Sequence, residues 1–380
     1  MLLVPNTILP PEPVTGVVTL APAYNVLTTM ALISAIEETA DLGEWVVHTV
    51  AQLDEEILSR QHVIFWGLGL ESLANAVDLD LSTCGFPDYL EALKAADPGQ
   101  LRDRIWRNIR SSSHVQIIVD ALLEPLPDDI LENKERFVAF FSEAHKKLGL
   151  AHKRDAVETY AEVHDLLVDP AALKGLLVAH LGHLWRDHVE AEWQRIRPLL
   201  QDTVDALQQI DLQNQPVFEM IQTVTRRDMR AIFNEDVLLR FRQIQFIPSI
   251  HNGPYVMWSG KDDTFRLTFS AYIPRGIPSH SAAQLNQAEL LNRLKALADE
   301  NRIQILDLLR QEGEMSTQEI MERLGLSKSA LSRHLRQLRA NGFISERRVP
   351  DGVKKFYRLD PANGERTVAR LSDLLDAAAG

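Results

Sequence analysis

The stretch STQEIMERLGLSKSALSRHLRQLRANGFI, residues 316–344, decides the fold of the C-terminal quarter of this chain. Its first residue, a serine, can cap a helix while Glu319 reaches back to the capping backbone, which is the capping-box pattern. Gly325 suits a tight turn after that helix, and Ser327 can cap a second helix over 327–340. Two short helices joined by a glycine turn predict a helix-turn-helix.

The second helix of this pair has two faces of different chemistry. At about 100° per residue, Leu331, Leu335 and Leu338 fall on one stripe, which we expect to be buried. His334 lies outside the opposite arc, and we interpret it as a packing residue. Short hydroxyls allow close approach to a DNA groove, and arginine can engage phosphates or pair with guanine. The opposite arc carries the side chains that we predict to contact DNA: Lys328, Ser329, Ser332, Arg333, Arg336 and Arg339.

A basic hairpin follows the second helix. Residues 343–349 and 354–359 have the pattern of two strands, joined by a tight turn at 350–352. Such a hairpin beside a recognition helix is a wing that can touch the DNA backbone or minor groove. A solvated charged face is the alternative interpretation, but the agreement of caps, turn and hairpin favours DNA contact. The predicted DNA contacts outside the second helix are Thr317, Gln318, Arg347, Arg348, Lys354 and Lys355.

Charge is distributed unevenly along the chain. The 380 residues have a formal net charge of −13, which taken alone argues against a nucleic-acid partner. Residues 284–380 carry 16 basic and 14 acidic residues, which leaves 24 basic and 39 acidic residues in 1–283. Within 327–358 there are nine basic residues and two acidic ones. The whole-chain charge therefore hides a compact basic surface of the kind that binds phosphates.

Together with LKALADENRIQILDLL (294–309), these motifs resemble the ArsR/SmtB family of winged-helix regulators over about residues 288–377. The resemblance implies that the DNA contacts come from the start of the recognition helix, 328–333. It also implies a homodimer on double-stranded DNA with a pseudo-palindromic operator, and repression as the family's common mode. The implied dimer contacts lie on the first and last helices of the domain: Leu290, Leu294, Leu297, Val368, Leu371, Leu374 and Leu375.

The sequence departs from this family at its metal sites. Metal-sensing members carry a Cys-x-Cys pair at the positions that Ser316 and Gln318 occupy here. Other members place His and acidic ligands on the final helix, whereas residues 365–379 contain no His. Neither position offers the thiolates or imidazoles that a borderline metal requires. We therefore expect no metal and no cofactor at these sites.

The fold class predicted for the whole chain is mainly α with small β elements. Residues 1–273 are expected to form a mostly helical N-terminal domain, 274–287 a linker, and 288–380 the DNA-binding domain. The segments LGHLWRDHVEAEWQRIRPLL, QIQFIPSI and RLTFSAYIP resemble a group of long ArsR-type bacterial regulators with an uncharacterised helical N-terminal domain. That second resemblance implies no particular ligand.

Short strands are expected at two places in the N-terminal domain. Alternation of apolar and polar residues in 244–250, 255–259 and 264–273 predicts a three-stranded meander, and 16–20 has the pattern of a short strand. Pro198 is expected to kink or divide the last long helix of the domain.

The chain is expected to be cytoplasmic and without membrane contact. Its one cysteine, Cys84, excludes an intramolecular disulfide and fits a reducing compartment. The longest apolar run, near 63–70, is far shorter than the roughly 20 residues that span a bilayer. The first residues lack the basic region of a signal peptide.

Three local features of the N-terminal domain suggest sharper functions. VIFWGLGLES (63–72) is a partial dinucleotide fingerprint, although a helix-breaking turn is the favoured interpretation. His180, His183 and His188 lie on one predicted helix, and ordinary histidines are favoured over a metal site. A set of aromatic residues is interpreted as core in preference to a pocket: Trp185, Trp193, Phe218, Phe233 and Phe246.

No nucleophile–base pair, P-loop or paired-carboxylate pattern indicates an enzyme. The leading hypothesis is a dimeric transcription factor whose N-terminal domain senses a small-molecule effector of unidentified chemistry. An enzyme in residues 1–240 fused to the DNA-binding domain is the alternative, and a polar pocket with perturbed titratable groups would support it. A third hypothesis makes the N-terminal domain a dimerisation platform.

Overall fold

The computed structural model describes residues 14–36, 42–112, 115, 118–119, 122–148, 155–213, 215–230, 232–274, 282–348 and 355–376. The architecture is mainly α with two small sheets, as predicted. None of the described helices combines the length and the apolar character that a bilayer crossing needs.

In the first part of the chain, the described residues form twelve α-helices and a four-stranded sheet. The helices are α1 (Pro22–Ala35), α2 (Glu44–Gln52), α3 (Glu55–His62), α4 (Leu70–Ala74), α5 (Phe86–Ala95), α6 (Pro98–Ser111), α7 (Lys134–Leu148), α8 (Ala156–Val168), α9 (Pro170–Leu184), α10 (Glu190–Leu207), α11 (Val217–Thr225) and α12 (Glu235–Leu238). The strands are β1 (Thr15–Val18), β2 (Gln243–Ser249), β3 (Met257–Lys261) and β4 (Thr264–Ser270).

Aspartates begin four of these helices. Each accepts a hydrogen bond from a backbone N–H of the first turn, which would otherwise have no intrahelical partner. The capping residues are Asp54 for α3, Asp97 for α6, Asp155 for α8 and Asp169 for α9.

The segment that resembles a dinucleotide fingerprint is helical. Val63–Gly69 forms a π-helical turn that extends α3, so the strand-like run expected here is wrong. The helix-breaking turn is confirmed at Gly69, whose φ of 86° and ψ of 143° lie outside the helical region and separate this turn from α4. Val63, Ile64 and Phe65 are buried, and a helix that is apolar on all sides has no periodicity to distinguish it from a strand. A phosphate-binding strand–turn–helix is therefore absent from this described segment.

A second long helical run extends over α9 and α10. Trp185–Val189 forms a π-helical turn between the two helices. Pro198 lies inside α10 without dividing it, so of the two predicted effects the division is wrong and the kink stays a prediction. Ile196 and Leu200 are buried on either side of the proline, and this continuous apolar face offsets the roughly 3 kcal/mol cost of an internal proline.

The strands of the first sheet are ordered β1-β2-β4-β3. β1 and β4 both run parallel to β2, and only β3 pairs antiparallel, with β4. The three later strands were predicted correctly, but the meander was wrong because β4 lies between β2 and β3. The sheet packs on α1, where the buried Asn25 donates to the Pro248 carbonyl at 2.7 Å and the Tyr24 and Ser259 hydroxyls are 2.9 Å apart.

The rest of the chain has its own apolar core. Its elements are α13 (Ala282–Leu297), α14 (Glu300–Glu312), β5 (Met315–Ser316), α15 (Thr317–Leu324), α16 (Lys328–Ala340), β6 (Ile344–Arg348), β7 (Lys355–Leu359) and α17 (Pro361–Asp376). One cluster of buried apolar residues, here the N-terminal core, spans Val14 to Ile273, and a second, the C-terminal core, spans Ala296 to Tyr357. Because α13 begins at Ala282, residues 282–287 of the predicted linker are helical.

Candidate DNA-binding surface

The two caps of the predicted helix pair are confirmed. Ser316 Oγ accepts from the Glu319 backbone N–H at 3.3 Å, and the Ser316 N–H donates to Glu319 Oε2 at 2.7 Å. Gly325 has a φ of 64°, which favours glycine in the turn. Ser327 Oγ accepts from the Ala330 N–H at 3.3 Å and fixes the start of α16.

The two faces of α16 are separated as predicted. Leu331, Leu335 and Leu338 are buried in the C-terminal core, and so is His334. Burial lowers the pKa of His334, although Asp299 nearby opposes the shift. The predicted DNA contacts at the exposed face of α16 are Lys328, Ser329, Ser332, Arg333 and Arg336. Among the described residues, no acidic side chain lies within ion-pair distance of Lys328 or Arg333.

Arg339, also predicted to contact DNA, has a different environment. It is half-buried, and its Nη1 donates to Glu346 Oε2 at 2.7 Å. The same buried carboxylate lies 3.4 Å from Lys355 Nζ and accepts from the Tyr357 hydroxyl. Burial raises the pKa of Tyr357 to about 12, and the negative charge of Glu346 adds to this shift. Two predicted DNA contacts, Arg339 and Lys355, thus join α16 to the hairpin.

The hairpin forms a three-stranded sheet ordered β5-β7-β6. Arg347 is exposed on β6, but it pairs with Glu314 through two hydrogen bonds and lies over the Phe356 ring. This ion pair holds the pKa of Glu314 below its usual range. Lys354, the turn at 350–352 and the side chain of Arg348 lie outside the described residues.

Several polar residues of this surface were not predicted from the sequence. Glu314 and Glu346 determine where two arginines point, and Arg358 is an exposed cation on β7 whose Nε donates to Ser345 Oγ at 3.0 Å. Arg302 is buried and donates to the carbonyls of Lys295 and Ala296 and to Gln337 on α16. That one side chain therefore ties the end of α13 to the recognition helix.

Thr317 and Gln318, in the first turn of α15, differ in exposure. Gln318 is exposed and its amide donates to Glu322 at 2.9 Å, whereas Thr317 is half-buried beside the Tyr357 hydroxyl. Gln318 is therefore the more accessible of the two to DNA.

The predicted dimer residues lie on two helices, α13 and α17, that contact each other. Leu290 is already buried within the single chain, while Leu294, Leu297 and Leu371 are half-buried. Val368 and Leu374 are 69% and 59% exposed. The side chain of Leu375 is outside the described residues.

The histidines and aromatic residues singled out in the N-terminal domain belong to packing and to local ion pairs. His180 is buried against Gln61, and burial lowers its pKa to about 4, while His183 pairs with Asp187. No three His, Cys, Asp or Glu side chains of the described part of the chain are grouped closely enough to hold a metal. The aromatic residues are core, as predicted: Trp185, Trp193, Phe218 and Phe246 are buried and Phe233 is half-buried.

A polar cavity at the surface of the N-terminal part bears on the enzyme alternative. Glu71 lines it with Arg104, Arg107 and Lys261, and burial raises the pKa of Glu71 to about 7. A titratable group with a shifted pKa in a polar pocket is the feature expected if residues 1–240 contain an enzyme active site. Ser111 also lines the cavity, and neither histidine nor cysteine is among the described residues around it.

The segment that carries this surface is similar in sequence to known regulatory proteins. The sequence model of a family described as "Bacterial regulatory protein, arsR family" matches residues 299–346. The transcriptional activator HlyU of Vibrio cholerae is 45% identical over 20% of this chain and 66% of its own length. An arsenic resistance transcriptional regulator of Pseudomonas putida is 39% identical over 22% of this chain and 63% of its own.

A third relative is covered more completely. The arsenical resistance operon repressor of Staphylococcus aureus is 36% identical over 20% of this chain and 72% of its own length. The solved structure of HlyU from Vibrio cholerae is 38% identical over 23% of this chain and 94% of its own, with a TM-score of 0.20. The chain spans 56–66% of the length of the first three curated relatives it matches.

Proposed function

Because the chain belongs to the ArsR family of bacterial regulatory proteins through its C-terminal winged helix-turn-helix, we propose that it binds a pseudo-palindromic operator as a homodimer and represses transcription. The observation that carries this proposal is the exposed face of α16. Lys328 and Arg333 project there beside two serine hydroxyls. Cations on an exposed helix that is capped at its start and buried on its other side suit insertion into a major groove.

The homodimer is supported by apolar side chains that one chain leaves in water. Leu291 on α13 and Val368 and Leu374 on α17 are 46%, 69% and 59% exposed. Pairing these helices with their copies across a two-fold axis would bury the exposed apolar groups. Two recognition helices related in this way would read half-sites about 34–36 Å apart, one turn of DNA.

The proposed mode is repression, because a dimer that occupies an operator excludes polymerase from it. The relatives' names include both an activator and a repressor. A reporter gene behind the selected operator distinguishes the two modes. Expression should fall when the protein is present, and a rise would contradict repression while leaving operator binding intact.

The DNA contact is tested with Ser332→Ala/Arg333→Ala in the full chain, on an operator selected from random DNA. Removing a phosphate or guanine contact together with its neighbouring hydroxyl should weaken specific binding about 100-fold. The matched control is Arg310→Ala/Gln311→Ala, which removes one cation and one polar neighbour from the exposed side of α14. It should bind within about threefold of the wild type. Specific, salt-sensitive binding retained by the first variant would contradict the assignment.

The dimer is tested separately by sedimentation of Val368→Glu and Leu374→Glu. A charge at an exposed apolar position costs a monomer little but must be desolvated in an interface. Both variants should therefore dissociate at concentrations where the wild type is dimeric. Ile303→Glu is the control, since Ile303 is also exposed (49%) but lies on α14. Unchanged dimers of Val368→Glu and Leu374→Glu would contradict this interface.

A further inference from the structure

A small cavity lies where the N-terminal core meets the helices of the C-terminal part. Its walls come from the end of α11, the ends of β2 and β4 with the loop between β2 and β3, the middle of α13, and Asn341 at the end of α16. Its volume is about 60 Å³. A site shared by two cores is the usual place for a ligand whose binding changes how they are arranged.

The charge of this cavity is unbalanced. Three guanidinium groups line it with a single carboxylate, Glu289. Arg226 lies 3.3 Å and Arg293 lies 2.6 Å from Glu289, and Arg226 also stacks on the Tyr272 ring at 3.5 Å. Among the described residues, no carboxylate is within ion-pair distance of Arg227, whose Nη2 donates only to the Pro254 carbonyl at 3.4 Å.

The cost of this arrangement is visible at Arg227. Burial lowers the pKa of Arg227 to about 10, and the charge of Arg293 adds to the shift. Glu289 and Asp360 offset part of it, and Arg366 adds a further positive charge near Arg293. Partly buried cations are costly unless they are paired and hydrogen-bonded. An anion in the cavity would supply the missing partner.

The size and donors of the cavity define the anion. About 60 Å³ holds a few water molecules or one small oxyanion, well below the roughly 300 Å³ of a site for a drug-sized ligand. Arginine forks match carboxylate and phosphate oxygens in pairs. The amide of Asn292, which lines the cavity from α13, adds uncharged donors.

We propose that this interdomain cavity is an effector site for a small oxyanion, carboxylate or phosphate, held by Arg227 with Arg226 and Arg293. The regulatory half of this inference rests on the proposed function, since the bound anion would act on operator affinity. The bound anion would connect α11 and the first sheet to α13, which carries part of the proposed dimer contacts. It would also connect them to Asn341, the residue that caps the end of the recognition helix. By linkage, the anion and the operator must then change each other's affinity equally.

The binding test uses the full chain without DNA, in chloride, phosphate or acetate at equal ionic strength. At about ten times its dissociation constant, the anion that fits should raise the Tm by roughly 2 °C or more. Comparing the rise in Tm with phosphate and with acetate shows whether the cavity prefers a tetrahedral or a planar oxyanion. If neither raises the Tm above the value in chloride, the site is overturned.

Arg227→Gln locates the effect. Removing a partly buried cation that has no carboxylate within ion-pair distance among the described residues should leave the Tm in chloride unchanged or higher, and should abolish the rise with the anion. A merely structural arginine would give a lower Tm in chloride and an undiminished rise with the anion, which would overturn the proposal. Asn292→Leu blocks the cavity without altering an arginine, and should also abolish the rise. It keeps the test decisive if Arg227→Gln does not fold.

Two control variants each replace an exposed arginine that lies outside the cavity. Arg240→Gln should respond to the anion like the wild type. Arg333→Ala should do so as well, and loss of the response there would place the anion on the DNA-binding face and overturn the site. Operator binding is then measured with and without the anion, and a change of at least about fivefold, absent in Arg227→Gln, supports regulation. If the anion leaves operator affinity unchanged, only the regulatory role of the site is overturned. If the protein fails to bind the operator in chloride, the proposed function is overturned, while anion binding to the cavity is still tested by the change in Tm.

Discussion

At the scale of single residues, the acidic side chains of the C-terminal part decide which cations remain available to DNA. The arc of α16 was readable from the sequence because helical spacing fixes which residues share a face. The partners of the arginines were not, since Arg347 and Glu314 are 33 residues apart and meet only when β6 forms. Arg339 differs from Arg333 for the same reason, because its carboxylate partner lies in the hairpin.

Replacing Glu346 by Gln should destabilise the protein. Glu346 is buried and gathers Arg339, Lys355 and Tyr357, so its neutral amide leaves two cations without their counter-charge. Breaking a partly buried pair costs about 1–3 kcal/mol. Urea unfolding followed by circular dichroism measures this loss, and a stability equal to the wild type would show that the cluster contributes nothing net.

Replacing Glu314 by Gln should instead strengthen DNA binding with little change in Tm. The Glu314–Arg347 pair is on the surface, where ion pairs add little stability. Losing the carboxylate releases Arg347 and removes a negative charge from the wing, so operator affinity should rise about two- to fivefold. Fluorescence anisotropy checks this. Weaker binding would mean that Glu314 holds Arg347 in its productive position.

Glu71 predicts a pH dependence of stability. Its pKa is raised from 4.5 to about 7 by burial, so the charged form is disfavoured in the folded chain. The effect of Glu71 on stability should therefore be absent below pH 4.5 and should become increasingly unfavourable as the pH rises towards 7. Glu71→Gln removes this ionisation and should gain up to about 3 kcal/mol at pH 8 and nothing at pH 4. Equal gains at the two pH values would rule out ionisation as the cause.

At the scale of elements, what could be predicted is what short segments encode by themselves. The capping box at Ser316, the turn at Gly325 and the cap at Ser327 act within a few residues, and each was found as expected. Sheet order was not accessible, since alternation marks a strand but not its neighbour. The π-helical turn at Val63–Gly69 was missed because its sequence is apolar throughout, so it has no periodicity that distinguishes a buried helix from a buried strand.

Two glycines in helices should respond oppositely to alanine. A Cβ at Gly67 would lie 2.5 Å from Val163 Cγ2 on α8, so Gly67→Ala must separate packed helices and should cost about 1–3 kcal/mol. A Cβ at Gly175, on α9, meets nothing within 4 Å. Gly175→Ala should gain about 0.5–1 kcal/mol from the better helix propensity. Urea unfolding of both variants decides, and a neutral Gly67→Ala would show that the two helices can separate without cost.

At the scale of the whole molecule, the features that matter join distant parts of the chain. The cavity between the two cores combines residues near 226, 272, 292 and 341, and no local pattern connects them. The basic surface of the C-terminal part was predictable, because dividing the charge along the chain needs only the sequence. Whether one or two copies of that surface meet DNA is a property of the assembly, and the salt dependence of binding can measure it.

Removing one phosphate-binding cation should lower the slope of log affinity against log salt by about 0.9 for duplex DNA. A homodimer carries every substitution twice. If Arg333 binds one phosphate in each half-site, Arg333→Ala should therefore reduce the slope by about 1.8. Arg310→Ala, on the exposed side of α14, should leave the slope unchanged. A reduction of only about 0.9 would mean that one recognition helix engages the DNA at a time, contrary to the proposed two-fold complex. An unchanged slope with lower affinity would place Arg333 on a base edge, because base contacts release no counterions.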